Sequence, residues 1–133
     1  MESLLPLLLL ISITSVIGLT LRAKKGVIKK VSRLKISELE FGGKYGSRLT
    51  ILQFSTTFCS ECRTAKSIVK DVVKDSKDIT YVEVDAESNL ELVRRVDIRS
   101  TPTTIFLDSK GFEIARAKGA PKRDQLINAI KAI

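Results

Sequence analysis

The two cysteines of this chain lie three positions apart, in Cys59-Ser60-Glu61-Cys62. Two cysteines placed at random among 133 positions would have this spacing in about 1.5% of cases, which makes an accident of composition a poor explanation. An apolar, strand-like run precedes the pair and a helical pattern follows it, so Cys59 is predicted at a helix N-terminus. There the free amides and the helix dipole favour a thiolate. We therefore predict a redox site, in which Cys59 is the reactive sulfur and Cys62 closes on it as a disulfide.

Three other interpretations of the cysteine pair were weighed. A structural zinc site needs about four ligands, and the chain has no second cysteine pair and no histidine. We therefore expect no metal and no other cofactor. A purely structural disulfide over so short a loop would stabilise little. Reduced, inert, buried cysteines stay open as an alternative, although the predicted helix start favours the redox site.

The net charge of +8 is concentrated in one short segment. Seven basic residues and no acidic residue lie between positions 22 and 35: Arg22, Lys24, Lys25, Lys29, Lys30, Arg33 and Lys35. From position 36 onward there are 16 basic and 14 acidic residues, a balance of only +2. Because the body of the protein carries no strong basic field and aromatic residues make up only 5% of the chain, we expect no nucleic-acid partner.

An apolar segment directly precedes the basic one. Residues 4–21 carry no charge, and as a helix they would span about 27 Å, close to the thickness of a bilayer's hydrocarbon core. A cleaved signal peptide is the rival interpretation, but Met1-Glu2 supplies no basic start and no A-x-A-like site follows. We predict a transmembrane anchor over residues 1–21, in contact with the membrane through residues 4–21, and a basic juxtamembrane tether with the first strand over residues 22–35.

Strand and helix patterns alternate along the rest of the chain. The predicted order is an edge strand with a turn or short helix (31–40), a strand (49–54), a helix (62–74), a strand (79–84), a short helix (89–96), a strand (103–107), a hairpin turn (108–111), its return strand (112–117) and an amphipathic helix (122–133). This order is typical of an α/β fold.

The order of elements and two motifs resemble the thioredoxin family. Thr57-Phe58-Cys59-Ser60-Glu61-Cys62 is similar to the family's aromatic-Cys-x-x-Cys motif, and Ser100-Thr101-Pro102-Thr103 to its proline loop. The resemblance covers residues 36–133 and implies a central mixed sheet flanked by helices, here preceded by one transmembrane helix. The anchored arrangement also resembles membrane-tethered thioredoxin-like proteins of bacteria.

The resemblance assigns roles to residues around the cysteines. It implies that Pro102 is cis and faces the cysteine pair, whereas an X-Pro bond judged alone would be expected in trans. It also implies that the backbone around Thr101 pairs with a substrate strand. Phe58 would form part of an apolar docking rim beside Cys59. We therefore predict Phe58, Thr101 and Pro102 as substrate-binding residues.

Two positions depart from the family pattern. Gln53 stands where thioredoxins usually carry a buried aspartate, and a neutral amide cannot relay a proton. Glu61 stands where a proline is common, and its carboxylate opposes thiolate formation but is also a candidate acceptor for the proton of Cys62. The positive charges of Arg63 and Lys66 favour the thiolate. We expect Gln53, Ser60 and Glu61 to tune the thiols.

The sequence as a whole predicts a membrane-anchored thiol–disulfide oxidoreductase. Its partners would be protein disulfides or dithiols and an unidentified electron donor or acceptor. A tethered binding, scaffold or redox-sensing module with little turnover stays open as an alternative. The basic residues that follow the apolar segment predict a cytoplasmic thioredoxin-like domain, and an extracytoplasmic domain is the alternative.

Overall fold

A computed structural model describes residues 4–23, 26–30 and 34–133. The elements in chain order are α1 (Leu4–Ala23), β1 (Ile28–Lys30), α2 (Glu38–Phe41), β2 (Leu49–Ser55), α3 (Ser60–Val73), β3 (Ile79–Asp85), α4 (Leu90–Arg95), β4 (Thr103–Asp108), β5 (Glu113–Lys118) and α5 (Arg123–Ala132).

The strands form one five-stranded sheet in the order β1-β5-β4-β2-β3. Strands β2 and β3 are parallel, and the other neighbouring pairs are antiparallel, so the sheet is mixed as predicted. Every residue of β2 is buried. Four of its seven residues are apolar, and the buried polar ones are Thr50, Gln53 and Ser55. Such a strand fits an interior position covered on both faces.

Helices cover both faces of the sheet. Leu49 and Ile51 of β2 belong to an apolar cluster that also contains side chains of α3 and α5. Leu52 and Phe54, which point to the opposite face, belong to a second cluster with side chains of α2 and α4. Because side chains alternate along a strand, Gln53 lies on the same face as Leu49 and Ile51, which is the face that α3 covers.

The first strand, β1, lies within the segment 22–35 and before the predicted edge strand (31–40). Of the predicted segment 31–40, residues 31–33 lie outside the described part of the chain, Lys35 makes an isolated bridge to Phe112, and the short helix α2 follows. The edge strand is β1, where Ile28 pairs with Ala117 of β5. The basic residues around positions 28–30 predicted a charged tether. In the structure Ile28 packs against the core, and β1 pairs with β5.

The N-terminal helix α1 is apolar, and all of its residues from Leu4 to Ala23 are exposed in the structure. Among the described residues it is the one helix long and apolar enough to cross a membrane. A membrane span and a signal sequence both have this length and composition.

Candidate active site

The cysteine pair lies where β2 ends and α3 begins. Cys59 is the N-cap residue of α3, and its Sγ accepts a hydrogen bond from the backbone N–H of Cys62 at 3.1 Å. The two sulfurs form a disulfide, with the Cα atoms 5.2 Å apart. This helix start was expected from the sequence, where the helical spacing of apolar residues begins directly after the pair.

The two sulfurs differ in exposure. Cys62 is 4% exposed, whereas Cys59 is only partly buried. Ser60 and Glu61, between the cysteines, are exposed. Phe58 is 97% exposed, an unusual state for a large apolar side chain. An outer sulfur therefore lies beside an exposed aromatic ring, with an inner sulfur behind it.

The proline loop lies at the same end of the sheet as the cysteines. The register pairs Phe54 near the end of β2 with Thr103 at the start of β4. The Thr101–Pro102 peptide bond is cis, and Pro102 is buried. The hydroxyls of Thr101 and Thr56 lie 3.3 Å apart, which links this loop to the segment that leads into the cysteines.

A glycine turn holds the proline loop from its other side. Gly119 follows β5 with a φ of 81°, a left-handed conformation that glycine adopts without strain. Its backbone N–H donates to the carbonyl oxygen of Pro102 at 2.8 Å.

Gln53 lies directly behind Cys62 and is completely buried. Its side-chain Nε2 donates to the carbonyl oxygen of Cys62 and to Oγ of Ser55, both at 2.9 Å. Its Oε1 accepts a hydrogen bond from the hydroxyl of Tyr81 at 3.0 Å. Both ends of the amide are thus engaged, and the side chain ties the start of α3 to the sheet.

An open cavity of about 220 Å³ borders the disulfide on the β3 side. Its lining contains both cysteines and a set of polar and charged residues: Ser55, Thr56, Thr57, Arg63, Lys66, Glu83 and Asp85. Nζ of Lys66 lies 2.8 Å from Oε2 of Glu83, so an ion pair crosses from α3 to β3.

Two ionisable groups near the cavity have shifted pKa values. Burial, and secondarily the negative charge of Glu83, raises the pKa of Tyr81, so its hydroxyl stays protonated and can donate to Gln53. The Ser88 hydroxyl and then the Glu87 N–H lower the pKa of Asp85 by hydrogen bonding to its carboxylate.

The structure gathers most of the predicted site residues at one end of the sheet, but sequence reasoning missed Tyr81 and Glu83. The two missed residues lie on β3, far from the cysteines in sequence, and they belong to no motif. The parallel pairing of β2 with β3 places Glu83 opposite Gln53. Their place in the site follows from the register of the assembled sheet, which the sequence alone does not give.

A partly exposed cysteine that caps a helix, a second cysteine buried behind it and a cis-proline loop thus meet at one end of a mixed sheet. A sequence profile described as Thioredoxin matches residues 35–132. The chain belongs to the thioredoxin family, and the predicted fold is confirmed.

Proteins similar to this chain include thioredoxins of rice and of Mycoplasmoides gallisepticum. Thioredoxin H5 of rice (Oryza sativa subsp. japonica) is 34% identical over 77 residues, which are 58% of this chain and 56% of that protein. The chain thus spans little more than half the length of this relative. Thioredoxin of Mycoplasmoides gallisepticum is 30% identical over 59% of this chain and 78% of its own length.

Solved structures show the same fold. A malaria-parasite protein, described as thioredoxin-2, a component of the parasite's protein secretion machinery, superposes with a TM-score of 0.60 at 28% identity, over 65% of this chain and 84% of that chain. The germline-specific thioredoxin Deadhead of the fruit fly superposes with a TM-score of 0.58 at 30% identity, over 65% of this chain and 82% of that chain.

Proposed function

We propose that the chain is a membrane-anchored enzyme that exchanges disulfides with protein substrates through Cys59 and Cys62. The observation that carries this proposal is the arrangement of the two sulfurs. Cys59 is partly exposed at the N-terminus of α3, whereas Cys62 is buried behind it. An incoming disulfide can reach the first sulfur, and only an internal reaction reaches the second.

The proposed reaction has two steps. In the reduced chain the thiolate of Cys59 attacks one sulfur of a substrate disulfide, forming a mixed disulfide and releasing the other sulfur as a thiolate. Cys62 then loses its proton and attacks Cys59, which breaks the mixed disulfide and releases the second substrate thiolate. The substrate gains two electrons and the chain loses two. A dithiol donor must reduce the chain again, and the reverse sequence oxidises a substrate dithiol.

Substrate docking is proposed at the rim around Cys59. Phe58 offers an exposed apolar ring, and the loop that carries Thr101 and Pro102 lies at the same end of the sheet. An extended peptide could pair its backbone with that loop, as strands do at exposed edges. Ser60 and Glu61 lie exposed between the cysteines, where we propose that they tune the thiols.

The proposed anchor is residues 1–21, followed by a basic juxtamembrane segment with the first strand (22–35) and the thioredoxin-like domain (36–133). The span has seven basic residues on its C-terminal side and none on its N-terminal side. Because basic residues near a span tend to stay in the cytoplasm, we propose that the domain is cytoplasmic. That compartment keeps thiols reduced, which suits a reductase.

A second candidate is a tethered binding or redox-sensing module with little turnover. The buried, fully hydrogen-bonded amide of Gln53 favours it, because this group cannot take up the proton of Cys62.

Reduction of insulin by dithiothreitol separates the two candidates. The full-length chain in detergent should accelerate insulin precipitation, and Cys59→Ser should abolish the acceleration. A wild-type chain that gives only the uncatalysed rate would contradict the enzyme and favour the binding module.

A further inference from the structure

The second step of the proposed reaction requires a group that accepts the thiol proton of Cys62. Cys62 must lose it before it can attack Cys59, and the unperturbed pKa of a thiol is about 8.5. Gln53 touches the backbone of Cys62, but it is neutral and its amide is fully hydrogen bonded. We therefore looked for a carboxylate elsewhere in the site that could accept this proton.

Glu83 is next to Gln53 in the sheet. The two residues are register partners in the parallel β2–β3 pair. Lys66 of α3, which reaches Glu83 at 2.8 Å, lies four residues after Cys62 and hence on the same side of that helix. The ion pair therefore places the carboxylate on the side of the sheet where the inner sulfur lies.

The cavity of about 220 Å³ connects the carboxylate with the sulfur, since Cys62, Lys66 and Glu83 all line it. A single water needs only about 10–15 Å³ of such space and two to four polar partners. The cavity is open to solvent and lined by polar groups, so water can bridge Cys62 and Glu83.

We propose that Glu83 accepts the proton of Cys62 through water in this cavity, with Lys66 holding the carboxylate in position. The proposal rests on the disulfide exchange proposed above. When Cys62 attacks Cys59, its proton passes to the carboxylate of Glu83 and the substrate leaves as a thiolate. Glu83 then returns the proton to solvent or to the departing thiolate. In the oxidising direction the same carboxylate, once protonated, returns a proton to Cys62.

The ion pair itself adds little stability. The side chains of Lys66 and Glu83 are 42% and 36% exposed, and pairs of this kind contribute about 0–1 kcal/mol. Glu83 can therefore be neutralised with small effect on the fold, which makes it suitable for a kinetic test.

Other charged groups face Glu83 from the neighbouring elements. From α3, Arg63 lines the cavity beside Lys66 and the cysteines. On β3, Tyr81 stays protonated, and both carboxylate oxygens of Asp85 already accept hydrogen bonds, from the N–H of Glu87 and the hydroxyl of Ser88. The groups that β2 supplies, Gln53 and Ser55, do not titrate. Glu61, the acceptor that the sequence suggested, lies exposed between the cysteines and is not part of the cavity lining. Glu83 is thus the carboxylate that the cavity best connects with Cys62.

The test follows the reduced full-length chain in detergent as it reacts with 5,5′-dithiobis(2-nitrobenzoate). The first equivalent of thionitrobenzoate reports the attack by Cys59, and the second reports the attack by Cys62 on the adduct. In Glu83→Gln we expect the second phase to slow about tenfold at pH 7, a modest loss for a proton acceptor. The difference should close near pH 9, where hydroxide deprotonates the thiol.

The direction of the change distinguishes proton transfer from simple electrostatics. Removing a negative charge near a thiol lowers its pKa, so electrostatics alone would make the second phase of Glu83→Gln faster. Glu83→Asp keeps a carboxylate that water can still reach, and it should recover part of the lost rate. Asp75→Asn removes an exposed carboxylate beyond the far end of α3 and should change neither phase.

A second phase of Glu83→Gln that is as fast as wild type at pH 7, or slowed equally from pH 7 to pH 9, would overturn the proposal. So would Glu83→Asp as slow as Glu83→Gln. Each result is separate from the proposed function, which the insulin assay with the wild-type chain tests.

Discussion

The two cysteines have the same side chain but different surroundings, and these surroundings assign them different chemistry. Cys59 lies at the helix N-terminus, where its Sγ already accepts the N–H of Cys62. A thiolate at this position would keep that hydrogen bond and gain from the helix dipole. Cys62 is only 4% exposed, so an incoming sulfur reaches it far less easily than it reaches Cys59.

Alkylation should reveal this difference. Limiting iodoacetamide added at neutral pH to the reduced chain is expected to modify Cys59 before Cys62, because Cys59 is nearer to solvent and to the free amides of α3. Peptide mapping by mass spectrometry measures the order, and the urea-unfolded chain, labelled equally at both sites, is the control. Labelling of Cys62 first, or of both cysteines equally in the folded chain, would contradict the assigned roles.

The Gln53→Asp variant tests whether a carboxylate on β2 can take up the proton of Cys62. A carboxylate here could take up the proton of Cys62, so disulfide turnover at neutral pH should rise. The gain should be larger in the Glu83→Gln background, where the proposed acceptor is missing. An unchanged rate in both backgrounds would show that a carboxylate at position 53 does not serve Cys62.

The same substitution should cost about 1–3 kcal/mol of unfolding free energy, because the Cys62 carbonyl loses its donor inside the protein. Burial raises the pKa of the new carboxyl above its unfolded value of about 3.9. Ionisation therefore adds a further loss that is absent below about pH 4 and grows as the pH rises, since the unfolded state then ionises more easily. Urea unfolding at pH 5 and pH 8 measures it, with Gln53→Asn as the uncharged control.

The sequence was informative about the residues that form motifs. The spacing of the cysteines led to Cys59 and Cys62, and the resemblance to the thioredoxin family led to Pro102, without any structure. Glu83 belongs to no motif, and it becomes part of the site only because β2 and β3 pair in parallel with Gln53 opposite it. Register between distant strands is set by the packing of the whole sheet, so a single sequence could not place this carboxylate.

At the scale of elements, the site depends on three chain segments that meet at one end of the sheet. The start of α3 supplies the sulfurs, the loop before β4 supplies Pro102, and β3 supplies Glu83. Periodicity predicted the long helices and the central strands to within a few residues. It failed at β1, because three residues are too few to show alternation.

Strand β1 is expected to contribute to the stability of the domain although it is short. Ile28 packs against the core cluster between the sheet and α5, and Gly26 N–H donates to the carbonyl of Lys118 at the end of β5. A chain of residues 31–133 should therefore melt about 4–8 °C below a chain of residues 24–133, which corresponds to about 1 kcal/mol in a domain of this size. Equal melting temperatures by circular dichroism would show that β1 is dispensable.

At the scale of the whole molecule, we propose that α1 anchors the chain and that the domain faces the cytoplasm. The seven basic residues after the apolar helix favour the cytoplasm. Protease added to intact cells should then leave the domain uncut, and added after lysis it should cut it. Loss of the domain without lysis would place it outside, and a domain released from the membrane fraction would indicate a cleaved signal sequence.

The central claim is that Cys59 forms mixed disulfides with protein substrates and Cys62 resolves them. Replacing Cys62 by alanine in the full-length chain should trap these intermediates, because the second step is then blocked. Non-reducing electrophoresis of acid-quenched membranes should show slower-migrating adducts of this chain that dithiothreitol removes. Cys59→Ala and the double variant are the matched controls and should show none. A Cys62→Ala chain that forms no adducts, or a Cys59→Ala chain that forms as many, would contradict the account.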